Sequence, residues 1–321
     1  MSEENLLQVE DVSKIYGYGF LGRVKFPAVD HVTLSMENKP KIFTIAGESG
    51  CGKTTLARMM LGMVKPTAGT ILYRGKNVHN LKSRDRTWFL REVQAIFQDP
   101  FDTFNPLKRV DTYLYETASN LLKLKNDEEI RGKIEEALRF TGLSLEEIAG
   151  KYPNEFSGGQ IQRISIARAL LPKPRLIVAD EPVSMVDASI RINILNMFKA
   201  LLTKTGTSFI YITHDLATAY YISDEIAIMY RGMIVEIGPA EKVLLKRHHP
   251  YTQALVKSLP EPGKKEEWKT RINAPGMEIK EFLSPGCKYA DICPHKTERC
   301  VKEKPPLFEA GDVKVACWLY E

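Results

Sequence analysis

The run Gly47-Glu48-Ser49-Gly50-Cys51-Gly52-Lys53-Thr54-Thr55 has the residue types of a site that holds a chain of phosphates. Its spacing, G-x-x-x-x-G-K-S/T, is the P-loop pattern. Gly47, Gly50 and Gly52 let the backbone approach an anion without Cβ clashes. Amides at a helix start then point at the phosphates. Lys53 is placed to reach the β- and γ-phosphates, and Thr54 can put its hydroxyl on Mg²⁺. A second group of acids closes an apolar run. Leu176-Ile177-Val178-Ala179 ends in Asp180 and Glu181. There an aspartate binds Mg²⁺ through water, and a glutamate serves as general base for an attacking water. A third stretch, Phe156-Ser157-Gly158-Gly159-Gln160, sets a serine and a glycine pair at a helix start, a second anion-binding terminus. Two phosphate cradles in one chain make sense when they serve different sites.

These groups need positioning elements. Lys41-Ile42-Phe43-Thr44-Ile45-Ala46 is short, apolar and β-branched and predicts a strand entering the loop. Leu56, Met59, Met60 and Met63 then fall on one face of a helix. Leu176–Ala179 and Ser208–Thr213 are continuous apolar runs, as in strands buried on both faces of a parallel sheet. Upstream, Leu7–Val12 and Val29–Leu34 predict strands, separated by the glycine-aromatic loop Tyr16-Gly17-Tyr18-Gly19-Phe20. Gly69–Gly75 predicts a hairpin strand, and Val93–Phe97 a strand ending at Gln98. From Leu107 to Phe140 the pattern turns helical, with faces Leu114, Ala118, Leu121, Leu122 and Ile130, Ile134, Ala137, Leu138. A further helix starts at Ser157 and carries Ile161, Ile164, Ala167, Leu170 and Leu171. The block predicts a helical insert in an α/β core. Glu225 to Ile237 predicts two strands around Arg231-Gly232. Beyond Gly238-Pro239, prolines 250, 260, 262, 275, 285, 294, 305 and 306 predict a small, loop-rich appended module.

At 321 residues the chain has room for one large or two modest domains. A net charge of +5 is mild. It requires no nucleic acid, and it suits either plain solvation or a surface facing anionic lipid. No apolar run approaches the roughly 18 residues of a membrane span. Met1-Ser2-Glu3-Glu4-Asn5 lacks the basic start of a secretory signal, so the chain is expected in the cytosol, with any membrane role exerted through partners. Of five cysteines, Cys51 sits in the P-loop and Cys287, Cys293, Cys300 and Cys317 crowd the tail. In a reducing compartment that clustering points to metal rather than disulfides. The spacing C-x5-C-x6-C-x16-C lacks the tight pairs usual for zinc. Iron–sulfur, zinc and unligated thiols all stay open on the residues alone.

Taken in order, the motifs resemble the ATP-binding cassette (ABC) ATPases over residues 6 to about 240. In that family the serine-glycine signature lies across the γ-phosphate of ATP held by the opposite subunit's P-loop. The resemblance implies that Ser157, Gly158, Gly159 and Gln160 act in this way. It makes Gln98 the Q-loop glutamine beside Mg²⁺ and water. Ser184-Met185-Val186-Asp187 becomes the D-loop, with Asp187 at the nucleotide site, and His214 the switch histidine. Tyr16 takes the aromatic position that stacks on adenine. Phe156, Met185-Val186 and Cys51 depart from the commonest residues without removing a catalytic group. Cys51 is not expected to touch nucleotide, but as a thiol at a helix N-terminus it is expected to be reactive.

The implied fold is α/β: a P-loop NTPase (RecA-like) core with an N-terminal antiparallel β-subdomain, a helical insert at about 100–170, and a small loop-rich C-terminal extension. The implied division is a nucleotide-binding domain at 1–240 and an extension at 241–321 with the four-cysteine site. Phe97-Gln98-Asp99-Pro100-Phe101-Asp102-Thr103-Phe104-Asn105-Pro106 and His249-Pro250-Tyr251-Thr252-Gln253-Ala254-Leu255 look like the oligopeptide/dipeptide/nickel importer ATPases. Members of that subfamily hold a 4Fe-4S cluster on C-terminal cysteines. The resemblance therefore implies ATP and Mg²⁺, a cluster on Cys287, Cys293, Cys300 and Cys317, and a location on the cytoplasmic face of the cell membrane. It also implies a second ABC ATPase subunit, paralogous or identical, two transmembrane permease subunits and an extracytoplasmic solute-binding protein. The solute itself, whether peptide, oligosaccharide or nickel chelate, stays open. The competing reading is a soluble non-transport ABC ATPase. Translation-type members carry two cassettes and repair-type members carry long coiled coils, and this chain has neither. A P-loop kinase would have no use for Ser157–Gln160.

Overall fold

The computed structural model describes residues 5–18, 24–258 and 282–321. Along the chain come β1 (Asn5–Tyr18), β2 (Val24–Glu37), β3 (Ile42–Ala46), α1 (Lys53–Met60), β4 (Ala68–Tyr73), β5 (Lys76–Asn77), α2 (Ser83–Glu92) and β6 (Val93–Ile96). Then follow α3 (Val110–Leu122), α4 (Asp127–Phe140), α5 (Leu145–Ile148), α6 (Gly158–Leu170), β7 (Leu176–Asp180), α7 (Ala188–Thr205) and β8 (Ser208–Thr213). The chain continues through α8 (Leu216–Ile222), β9 (Glu225–Tyr230), β10 (Met233–Pro239), α9 (Ala240–Lys246) and α10 (Pro250–Lys257), and returns to strand at β11 (Phe308–Ala310) and β12 (Val313–Val315). No helix among the described residues is long and apolar enough to cross a membrane.

The chain forms two compact units. One comprises Met1–Met36, Thr44–Gly75 and Thr213–Glu321. Its β1 and β4 pair antiparallel, with Leu7 opposite Tyr73 and Val9 opposite Ile71. All of these are buried, so alternate residues of each strand face one core. The β9–β10 hairpin is extended by β12 and then β11, antiparallel throughout. A core of Ile226, Ile228, Tyr230, Val243, Tyr251, Tyr289, Val313 and Val315 fills this unit, with Cys287, Cys293 and Cys317 packed against it.

The other unit comprises Glu37–Phe43 and Lys76–Ile212. Here β6, β7 and β8 run parallel, with Val93 opposite Leu176 and Ala179 opposite Tyr211. Every residue of β7 and β8 is buried. That explains their unbroken apolar sequence, at about 1.5–3 kcal/mol for each large side chain buried. The helical part is set by its ends. Asn126 accepts from the Glu128 and Glu129 amides to start α4, and Ser144 forms a capping box with Glu147 to start α5.

Two sequence expectations are corrected here. α1 stops at Met60 because Gly62 turns left-handed (φ 70°), leaving Met63 57% exposed rather than on the buried face. Tyr16 and Tyr18 lie in β1, not in a loop; Gly19 and Phe20 fall outside the described residues. α2 carries no sequence signal, since SRDRTWFLRE buries only Phe89. The tail is built of short elements and turns, as its prolines predict. Pro250 opens α10 at the first turn, where its missing N–H costs nothing, and β11 and β12 join the sheet. Pro260, Pro262 and Pro275 lie outside the described residues.

Candidate functional site

The P-loop lies between β3 and α1. Two of its glycines are required by close neighbours. A Cβ on Gly47 would sit 2.1 Å from the Met229 carbonyl oxygen, and one on Gly52 would sit 2.1 Å from that of Ala28. Gly52 also has φ 111°, a conformation side chains rarely adopt. The loop is braced again where Gly232 N–H donates to Cys51 O at 2.8 Å. Lys53 is buried, and its ammonium donates to the carbonyls of Gly47 (2.7 Å) and Glu48 (2.8 Å). Glu48, Ser49 and Gly50 are exposed at the mouth, while Thr54 and Thr55 are half-buried on the first turn of α1. That helix has no acid in its first turn and no side-chain cap, so its leading amides and dipole are available to an anion.

Cys51 does not fit the reactive thiol expected from its helix start. It is 4% exposed, and burial pushes its thiol up, outweighing Lys53 at 3.8 Å. In the same unit, Tyr16 is half-buried, with Phe26 at 6.1 Å and Lys14 Nζ 5.3 Å from its ring centre. His214 follows β8 with an exposed side chain. The next residue, Asp215, caps α8 by accepting from the Ala217 and Thr218 amides.

The second unit carries the other motif residues. Asp180 closes β7 and Glu181 follows it, both buried. Glu181 sits at φ 45°, unusual for a residue with a side chain, and its N–H donates to Ile212 O at 2.9 Å. Ser184 Oγ donates to Glu181 O at 2.9 Å, which ties the D-loop to the acid. Ser157 and Gln160 lock in a capping box. Gln160 N–H donates to Ser157 Oγ at 3.3 Å, and Ser157 N–H donates to Gln160 Oε1 at 3.0 Å. Gln160 is thus committed to shaping the turn, while Ser157 stays exposed. Gly159 is buried, and a Cβ there would press on the movable end of Ile190, Cδ1, at 2.8 Å. Gln162 Nε2 donates to Pro182 O at 2.9 Å, so signature helix and acid loop are fastened together. Asp187 starts α7 without using its carboxylate as a cap, and Gln98 is exposed directly after β6.

Cys287, Cys293, Cys300 and Cys317 all line one cavity of about 60 Å³, together with His249, Tyr289 and Trp318. All are free thiols. Burial pushes Cys287 up to about 11 and raises Cys293 and Cys317 as well. Among the described residues, no group of three or more His, Cys, Asp or Glu is close enough to hold a metal ion.

The ABC transporter family matches residues 29–184, and the oligopeptide/dipeptide transporter C-terminal region matches 235–300. The oligopeptide transport ATP-binding protein AppF of Bacillus subtilis is 38% identical over 331 residues, covering 99% of this chain and 98% of the relative. The di/tripeptide transport ATP-binding protein DppF of Pseudomonas aeruginosa is 35% identical over 319 residues, covering 98% and 97%. The dimeric structure of the cassette MJ0796 bound to ADP and Pi aligns with a TM-score of 0.65 at 26% identity, over 73% of this chain and 98% of that one. The chain belongs to the ABC transporter family and has its ATPase fold. Within that family it sits among the oligopeptide/dipeptide transport ATP-binding proteins.

Sequence reasoning missed three residues around the site. Tyr251 takes the Glu48 amide at 3.2 Å, Glu236 is fully buried under α10, and Asp30 is buried beside Lys288 and Lys304. Tyr251 lies in the HPYT stretch, but nothing local says what its hydroxyl meets.

Proposed function

We propose that this chain is the ATP-hydrolysing subunit of an importer for oligopeptides or dipeptides, peripheral on the cytoplasmic face of the cell membrane. Its nucleotide-binding domain spans 1–240, with the extension at 241–321. It works with a second ABC ATPase, two permease subunits and an extracytoplasmic solute-binding protein. Two cassettes close head to tail on two ATP molecules. Lys53 and the loop amides of one hold the phosphates, and Ser157 and Gly159 of the other seal them. Tyr16 stacks on adenine and Asp187 borders the site. Mg²⁺, held by Thr54, Gln98 and Asp180, would neutralise developing charge. Glu181 takes a proton from the attacking water, and His214 and Gln98 orient the γ-phosphate and that water.

The observation that carries this reading is the paired design of two helix starts. One has leading amides with no side-chain cap behind a lysine; the other has an exposed serine on a turn fixed by Gln160. Each cradle is built for an anion and neither encloses one alone.

For the tail we propose a 4Fe-4S cluster held by Cys287, Cys293, Cys300 and Cys317; the cavity that all four line supports this reading, and the thiols would draw together on assembly, since as placed they form no group able to hold a metal. The cluster would staple the tail, and its assembly would release protons from Cys287, Cys293 and Cys317, whose thiols burial pushes up. The test is purification through this chain from its native membrane. Permease subunits should co-purify, and peptide-loaded binding protein should stimulate ATP hydrolysis. Glu181→Gln should lower turnover by roughly 10²–10⁴-fold with ATP affinity retained. Persistent binding to ribosomes or DNA instead of permeases would overturn the transport reading.

A further inference from the structure

Two series of contacts lead from the cysteine-lined tail to the P-loop. The first runs through rings. Tyr251 on α10 is 2% exposed, and its hydroxyl oxygen accepts from Glu48 N–H at 3.2 Å. Tyr230 packs on it at 4.3 Å and Tyr289 at 5.6 Å between ring centres. Tyr289 also lines the cysteine cavity, two positions from Cys287. His249, another cavity residue, accepts from Tyr251 N–H at 3.0 Å and faces Tyr289 at 5.9 Å. The second series is polar. Lys288, adjacent to Cys287, and Lys304 reach Asp30 Oδ2 at 3.4 and 2.6 Å. Asp30 N–H donates to Gly232 O at 2.9 Å, and Gly232 N–H donates to Cys51 O at 2.8 Å.

The residues gripped are informative. Lys53 holds the Gly47 and Glu48 carbonyls from inside the loop. Tyr251 takes the Glu48 amide from the opposite direction, on an element contributed by the tail. The upstream limb is therefore fixed on both sides, while Ser49 and Gly50 remain exposed. A loop already held in place loses less freedom when phosphate arrives, and that difference appears as affinity.

We propose that Tyr251 is a positioning residue of the nucleotide site, and that the cysteine-lined tail sets the readiness of the P-loop for nucleotide through the Tyr289–Tyr251–Glu48 contact. The inference rests on the reading that residues 47–55 bind ATP. Tyr251→Phe keeps the ring and deletes one hydrogen bond, which corresponds to a loss of about 3- to 10-fold in affinity.

The test uses the full chain, fluorescent mant-ADP titration and amide hydrogen exchange. Tyr251→Phe should raise Kd for mant-ADP about 3- to 10-fold. Deuterium uptake should rise in the peptide covering 47–53 and stay unchanged in the one covering 157–160. Tyr289→Leu should shift both readouts in the same direction. Val243→Ala, a truncation in the same core, should lower Tm while leaving Kd within about twofold. If the wild type fails to bind mant-ADP, the nucleotide-site reading falls. If the wild type binds and Tyr251→Phe changes neither Kd nor exchange at 47–53, the positioning role alone falls. Equal weakening by Val243→Ala would also overturn it, because general loosening would then explain the effect.

Discussion

Glu236 gives the sharpest test of how the tail is seated. Its carboxylate is 0% exposed and accepts from His248 N–H at 3.0 Å, His248 Nδ1 at 3.2 Å and His249 N–H at 3.0 Å. These bonds fix the entry to α10, and so Tyr251. Glu236→Leu fills similar space but leaves two backbone donors, one of them fully buried, without an acceptor. At about 1–3 kcal/mol per orphaned group the loss is about 2–6 kcal/mol. Glu236→Gln keeps one carbonyl oxygen and turns an amide NH₂ toward the other donor, costing about 1–3 kcal/mol. For a chain of this size each kcal/mol lowers Tm by about 2 °C. The leucine variant should melt about 4–12 °C lower and the glutamine variant about 2–6 °C lower, by differential scanning fluorimetry. Both should weaken mant-ADP binding in the same order. A leucine variant at least as stable as the glutamine variant would refute the reasoning, because burial would then outweigh the hydrogen bonds.

Further outcomes follow from the same contacts. Gly52→Ala forces a Cβ to 2.1 Å from Ala28 O at φ 111°, so it should abolish measurable nucleotide binding and lower Tm. His249 is held down to about 3 by burial against an ordinary value of 6.5. The folded chain therefore keeps it neutral while the unfolded chain protonates it. Its contribution is complete above pH 6.5 and declines as pH falls from there toward 3. His249→Asn, which can still cap α10, should flatten urea midpoints across that window. Protein prepared without air should be brown, absorb near about 400 nm and carry about four irons, and Cys300→Ser should lower the iron count; iron-free protein would remove the cluster from the proposal.

The parts of the fold most legible in the sequence were those where local chemistry and tertiary role coincide. Gly47–Thr55, Ser157–Gln160 and the β7 run are contiguous, and each carries its own turn, cap or apolar signal. In the tail, proline density marks the short elements correctly, but position decides the role of each proline: Pro250 starts a helix rather than breaking one. Cys51 misled because its helix-start position is visible in sequence and its burial is not. Tyr251, Glu236 and Asp30 were illegible for a related reason. Their partners lie far off in the chain, as with Tyr251 and Glu48, and a lone buried tyrosine reads as core until its hydroxyl has an address.

Joint gripping of nucleotide is tested most directly by the mass of the Glu181→Gln chain in saturating MgATP, measured by light scattering both alone and with its co-expressed ATPase mate. Two cassettes closed on ATP should give the mass of a pair in at least one of these preparations, and Ser157→Arg should return it to single cassettes with each P-loop still able to bind. ATP bound at full stoichiometry to single cassettes in both preparations, with Ser157→Arg making no difference, would contradict it.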